Sequence, residues 1–122
     1  MSGAVTLYHN PACGNSRGAL QLIRAAGIEP VIIEYLQTPP ERVTLVALLQ
    51  RMGFAPRQLL RDQEPLYAEL GLGASHWSDD ELIDQMLAHP ILINRPVVVT
   101  ERGVRLCRPP ETVREILPGA AR

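Results

Sequence analysis

Reactive chemistry in this chain centres on Cys13, in the run His9-Asn10-Pro11-Ala12-Cys13-Gly14-Asn15-Ser16-Arg17. The run is rich in turn residues and follows the short apolar segment Ala4 to Tyr8, so it reads as a loop leaving a strand. From Ser16 the pattern turns helical. A cysteine at such a junction faces the first backbone N–H groups of the helix, and the helix dipole favours a thiolate there. The same N–H groups make an anion site. His9, four residues earlier, is placed to add charge or a hydrogen bond. Cys13 is therefore a candidate nucleophile.

The spacing also excludes chemistry. A low-molecular-weight phosphatase loop needs Arg six residues after its Cys, and that position is Ala19. An oxyanion clamp must come from elsewhere in the chain. Position 16 is Ser rather than Cys, so no CxxC dithiol exists and a second thiol must be Cys107 or an outside molecule. All twelve basic residues are Arg, which rules out a Schiff-base or P-loop lysine and makes every cation a planar fork suited to oxyanions. Arg95 precedes Pro96 at the start of one apolar run, and Arg108 closes the next and precedes Pro109. Ends of neighbouring strands can converge on one site. Arg61 lies in a helical stretch. Cys107 alternates with Leu106 and Arg108 and is expected to be a half-buried strand cysteine. His76 and His89 read as surface or capping residues and Trp77 as packing. No zinc spacing, GxGxxG or Walker motif is present.

These residues need elements to hold them. Ala4 to Tyr8 and Pro30 to Leu36 read as strands around a helix with Ala19, Leu20, Ile23 and Ala26 on one face and a stop at Gly27. This is a βαβ unit, with parallel strands and a right-handed crossover. Thr38-Pro39-Pro40-Glu41 and Ser78-Asp79-Asp80-Glu81 both read as capping boxes opening helices. Pro56, Pro65 and Gly71 separate short helices between them. Pro96 to Thr100 and Val104 to Cys107 read as a hairpin, and Pro109-Pro110 start a last helix through Leu117. The sum is an α/β fold of thioredoxin topology: a small mixed β-sheet flanked by helices, with a helical insertion at about residues 40–90 of a single 1–122 domain. A net charge of -1 argues against a nucleic-acid or anionic-membrane partner. With no signal-peptide pattern and no long apolar stretch, a cytoplasmic location is expected.

The Tyr8–Arg17 segment closely resembles the active-site loop of the glutaredoxin-coupled arsenate reductases. Glu34-Tyr35-Leu36-Gln37-Thr38-Pro39-Pro40, His89-Pro90-Ile91-Leu92-Ile93-Asn94-Arg95-Pro96-Val97-Val98-Val99 and Arg105-Leu106-Cys107-Arg108-Pro109 resemble the same family, in the same order. The resemblance implies a thioredoxin-like fold and one nucleophilic cysteine, Cys13. It implies that Arg61, Arg95 and Arg108 bind arsenate and arsenite, that His9 helps depress the cysteine pKa, and that Ser16 hydrogen-bonds the thiolate. Pro96 matches a cis-proline. No bound cofactor is implied; glutathione is a co-substrate and glutaredoxin a partner. On this reading Cys13 attacks arsenic, glutathione forms a mixed Cys13–arsenic–glutathione species with reduction to As(III), and glutaredoxin removes the glutathione before arsenite leaves. The chain ends at Arg122, ahead of the charged tail of well-known members, as a shorter subgroup would. Two other readings stand beside this one. A different glutathione-linked thiol reductase would need Cys13 but tolerate loss of the arginines. A regulator like the Spx-type polymerase-binding proteins would ordinarily carry CxxC, which is absent.

Overall fold

The computed structural model describes residues 4–118. Two compact units make up the chain. The first joins the described residues up to Thr38 with those from Arg95 onward, and the second is Pro39–Asn94.

The first unit is built on a four-stranded sheet in the order β2-β1-β3-β4. The strands are β1 (Thr6–His9), β2 (Val31–Glu34), β3 (Val97–Thr100) and β4 (Gly103–Leu106). β1 pairs parallel with β2, Thr6 opposite Val31, through the crossover helix α1 (Gly14–Ala25). β3 pairs antiparallel with β1 and with β4. The three consecutive valines of β3 suit its interior position, where both faces of the strand are covered. Val5, Leu7, Ala19, Ile23, Val98, Cys107, Val113, Ile116 and Leu117 form one buried cluster. Full burial of an aliphatic side chain such as Ile23 contributes about 1.5–3 kcal/mol. Gly18 of α1 meets the closing segment closely: a Cβ there would lie 2.9 Å from Pro110 Cγ, so only glycine fits without a shift.

That closing segment is a 3-10 helix, Pro110–Glu115, and not the α-helix expected through Leu117. Its bonds run three residues apart, as in Ile116 N–H to Val113 O at 3.1 Å. The run is short, and two successive prolines leave its start without two N–H donors. The Arg95–Pro96 and Arg108–Pro109 peptide bonds are both cis.

The second unit holds α2 (Arg42–Met52), α3 (Pro56–Leu59), α4 (Pro65–Glu69) and α5 (Asp79–Ala88); α2, α3 and α5 bury Leu45, Leu48, Leu49, Leu59, Leu82, Ile83 and Met86, while α4 has no buried residue. The box at Ser78 forms as expected, with Glu81 N–H donating to Ser78 Oγ at 3.1 Å and Ser78 N–H to Glu81 Oε1 at 2.9 Å. The box expected at Thr38 does not form. α2 begins only at Arg42, and Glu41 is its N-cap with no side-chain bond. Pro40 disfavours the helical region for Pro39, so the double proline stays extended and delays the helix. Pro56 and Pro65 do not merely separate α3 and α4; each occupies a first-turn position, where its missing N–H costs nothing.

Candidate active site

The loop between β1 and α1 is wound around Asn10. Asn10 Oδ1 accepts from Ala12 N–H at 3.0 Å, and Asn10 O accepts from Cys13 N–H at 2.9 Å. This local turn delivers Cys13 to the N-cap of α1, in extended conformation. Cys13 O then accepts the first helical bond, from Arg17 N–H at 3.0 Å. The Arg17 guanidinium donates to Pro11 O at 2.9 Å, across the outside of the loop. An N-cap side chain normally supplies an oxygen acceptor to the free N–H groups of the first turn. Here that place is held by sulfur.

The electrostatics follow from that placement. Burial alone pushes the Cys13 thiol up. The Ser16 N–H, the Arg95 guanidinium and the Asn15 N–H outweigh it, and the net result lies below the ordinary thiol value. Cys13 keeps partial exposure, so a small substrate can reach it. Arg108 Nη1 lies 3.8 Å from the sulfur and donates to Arg95 O at 3.0 Å. Arg95 itself is buried, at 8% exposure. Arg95 enters from the start of β3 and Arg108 from just beyond β4, so adjacent strand ends bring both guanidinium groups to the thiol.

His9 and Ser16 are also brought together, though not as the sequence reading arranged them. His9 Nδ1 lies 3.1 Å from Ser16 Oγ, and Asn10 N–H donates to the same oxygen at 3.0 Å. The hydroxyl has one proton and two lone pairs, so one lone pair serves Asn10 N–H and Ser16 Oγ still pairs with Nδ1. Burial pushes the His9 imidazole below its ordinary value, which favours its neutral form. Of the two roles open to His9, charge or hydrogen bond, the geometry favours the hydrogen bond. Ser16 reaches Cys13 through its backbone N–H, while its hydroxyl turns inward. Arg61 belongs to the second unit, where Nε donates to Glu64 Oε2 at 3.2 Å and its N–H to Leu92 O at 2.8 Å.

Two residues of this site escaped the sequence reading. Asn10 organises the loop, and Asn15 faces Arg108. With its amide oxygen toward the guanidinium, the orientation in which acceptor meets donors, Asn15 accepts from Nη1 at 3.2 Å and Nη2 at 3.3 Å. An asparagine in a helix first turn beside a cysteine was the available signal for Asn15. Cys107 lies apart from this chemistry. It is fully buried, more than the half-burial expected, and burial pushes its thiol up to about 12. Among the described residues no group of three or more His, Cys, Asp and Glu side chains could hold a metal ion.

A β-α-β start, an antiparallel hairpin and one thiol at the helix N-terminus define a thiol protein of thioredoxin-like fold. The chain belongs to the ArsC family, whose model matches residues 8–116. It is 60% identical over 116 residues to an arsenate reductase of Escherichia coli strain K12, spanning 95% of this chain and 82% of that protein. It is 57% identical over 114 residues to an arsenate reductase of Rhizobium meliloti strain 1021, spanning 93% and 81%. A solved structure of an arsenate reductase from Vibrio cholerae superposes with a TM-score of 0.92 at 46% identity, covering 96% of this chain and all of that one.

Proposed function

We propose that this protein reduces arsenate to arsenite through the Cys13 thiolate, with glutathione and glutaredoxin supplying the electrons. The observation that carries the reading is the convergence of Arg95, Arg108 and the first N–H groups of α1 on one sulfur. That convergence sits in a chain 60% identical to an arsenate reductase. A tetrahedral oxyanion suits guanidinium forks, which bind paired oxygens. Arg61 stays in the reading on its sequence motif alone, and Arg61→Lys tests it. His9 and Ser16 hold the loop that presents the thiolate. We read residues 1–122 as one reductase domain with no bound cofactor, working in the cytoplasm.

The redox balance constrains the steps. The Cys13 sulfur attacks arsenic, an As–S bond forms, and one oxygen leaves as water after taking up protons. The glutathione thiol condenses in the same way and releases a second water. Neither step reduces arsenic. Reduction comes when a glutaredoxin thiolate attacks the glutathione sulfur. The As–S(glutathione) bond breaks, its electron pair stays on arsenic, and As(V) becomes As(III) as one S–S bond forms. Water then displaces Cys13 from As(III), releasing arsenite and the thiol. The sequence-level scheme put the reduction one step earlier; electron counting moves it here. Two outside thiols are needed because Cys107 is buried and held protonated.

The test is arsenate-dependent NADPH oxidation with glutathione, glutaredoxin and glutathione reductase, wild type beside Cys13→Ser. The expected result is turnover that vanishes in the variant. Absence of arsenate-dependent turnover in wild type, with Cys13 still alkylated fast near neutral pH, would assign this activated thiol another substrate.

A further inference from the structure

We infer that Asn15 is a positioning residue for the oxyanion: its side-chain oxygen holds the Nη1–Nη2 end of the Arg108 fork and leaves the Nε–Nη2 edge for the substrate. The inference deepens the arginine-clamp reading and rests on it.

A guanidinium offers five N–H donors in one plane, with two edges that can grip a pair of oxygens. One edge is the end, formed by Nη1 and Nη2. The other is the side, formed by Nε and Nη2. Asn15 Oδ1 meets both nitrogens of the end, at 3.2 and 3.3 Å. Nη1 also donates to Arg95 O at 3.0 Å and lies 3.8 Å from the Cys13 sulfur. These bonds fix the plane of the group and use up its end. The side edge, Nε with the second Nη2 hydrogen, makes no hydrogen bond among the described residues. A tetrahedral anion with two oxygens on one edge fits that remaining pair. Without the Asn15 contact, the long side chain would sample other rotamers, and ordering it would weigh against binding. Asn15 is also tied to the thiol, because its backbone N–H favours the Cys13 thiolate. One first-turn residue thus links both halves of the site, thiolate through main chain and clamp through side chain.

This division of labour gives a test that a merely structural role would fail. Two quantities are measured on the full chain: the arsenate concentration that half-protects Cys13 from iodoacetamide, and the pH midpoint of alkylation without arsenate. For Asn15→Ala the half-protecting arsenate concentration should rise about five- to tenfold, the loss expected for one charge-assisted contact. The alkylation midpoint should stay in place, because the backbone N–H survives. For Asn15→Asp a carboxylate still faces the fork but cancels its charge and adds a negative charge near the sulfur. Protection should weaken beyond the alanine variant, and the midpoint should rise. Unchanged protection in Asn15→Ala would overturn the inference, as would wild-type protection in Asn15→Asp. A shift of both quantities in Asn15→Ala would also overturn it, since the side chain would then be supporting the loop instead of the arginine. If wild type itself showed no protection by arsenate, the clamp reading would fail first, and that outcome is distinct from the others.

Discussion

The two cysteines of this chain sit in surroundings that push the same functional group in opposite directions. Cys13 caps a helix, partly exposed, with main-chain N–H groups and the Arg95 guanidinium turned toward its sulfur. Cys107 lies among Val5, Leu7, Ala19, Ile23 and Ile116, and its thiol donates to the Arg105 carbonyl at 3.7 Å. Burial raises both, but only Cys13 has donors enough to reverse it. What separates a nucleophile from a packing residue here is therefore the supply of oriented donors rather than access alone. Arg108 follows Cys107 directly, just beyond the end of β4, and Pro109 alone separates Arg108 from the start of the 3-10 helix at Pro110. A single step along the strand end thus divides an inert thiol from a clamp arginine.

The sharpest way to break this comparison is to exchange the thiols' fates. Cys13→Ser should lower arsenate turnover by at least about a thousandfold, since a hydroxyl at this pH is a far weaker nucleophile. Arg95→Lys and Arg108→Lys should each lower kcat/KM for arsenate by about tenfold or more, because an ammonium is a point charge and not a fork. Arg95→Lys should also raise the Cys13 alkylation midpoint, as the Arg95 guanidinium favours the thiolate. Near-normal arsenate kinetics in both variants would show that the clamp is misassigned. Ser16→Ala removes the hydroxyl shared by Asn10 N–H and His9 Nδ1, leaving a buried donor unmet. It should cost about 1–3 kcal/mol of stability in urea unfolding, with a smaller loss of turnover. Cys107→Ala should leave kcat/KM within about twofold and show its effect on stability alone. The sign of its pH dependence follows from a folded pKa of about 12 against an ordinary 9.0. The unfolded chain loses this proton first, so wild-type stability declines as pH rises from about 9 toward 12. Cys107→Ala should lack that share of the decline when urea midpoints are compared across this range.

The sequence made Cys13 legible because its placement depends on local features: an apolar strand, turn residues, then helical spacing. The βαβ unit and the Ser78 box were legible for the same reason. The failures have non-local or competing causes. At Thr38 the capping pattern was present, but Pro40 restricted the residue before it and the helix started late. The final helix is a short 3-10 turn because the double proline that opens it removes two N–H donors, a competing local signal. Ser16 was assigned by motif to the thiolate, yet its hydroxyl answers His9 and Asn10, and its main chain serves the sulfur. Asn15 passed unnoticed because its partner, Arg108, is far away in the chain and meets it only in the fold.

The most direct test of the account is the pH dependence of alkylation at each cysteine, resolved by mass spectrometry of the digested protein. The account predicts that Cys13 reacts with a midpoint below the ordinary thiol value. It predicts that Cys107 stays unlabelled up to alkaline pH and reacts once urea unfolds the chain. A Cys13 midpoint at or above the ordinary value, or comparable labelling of Cys107 in the folded protein, would contradict it.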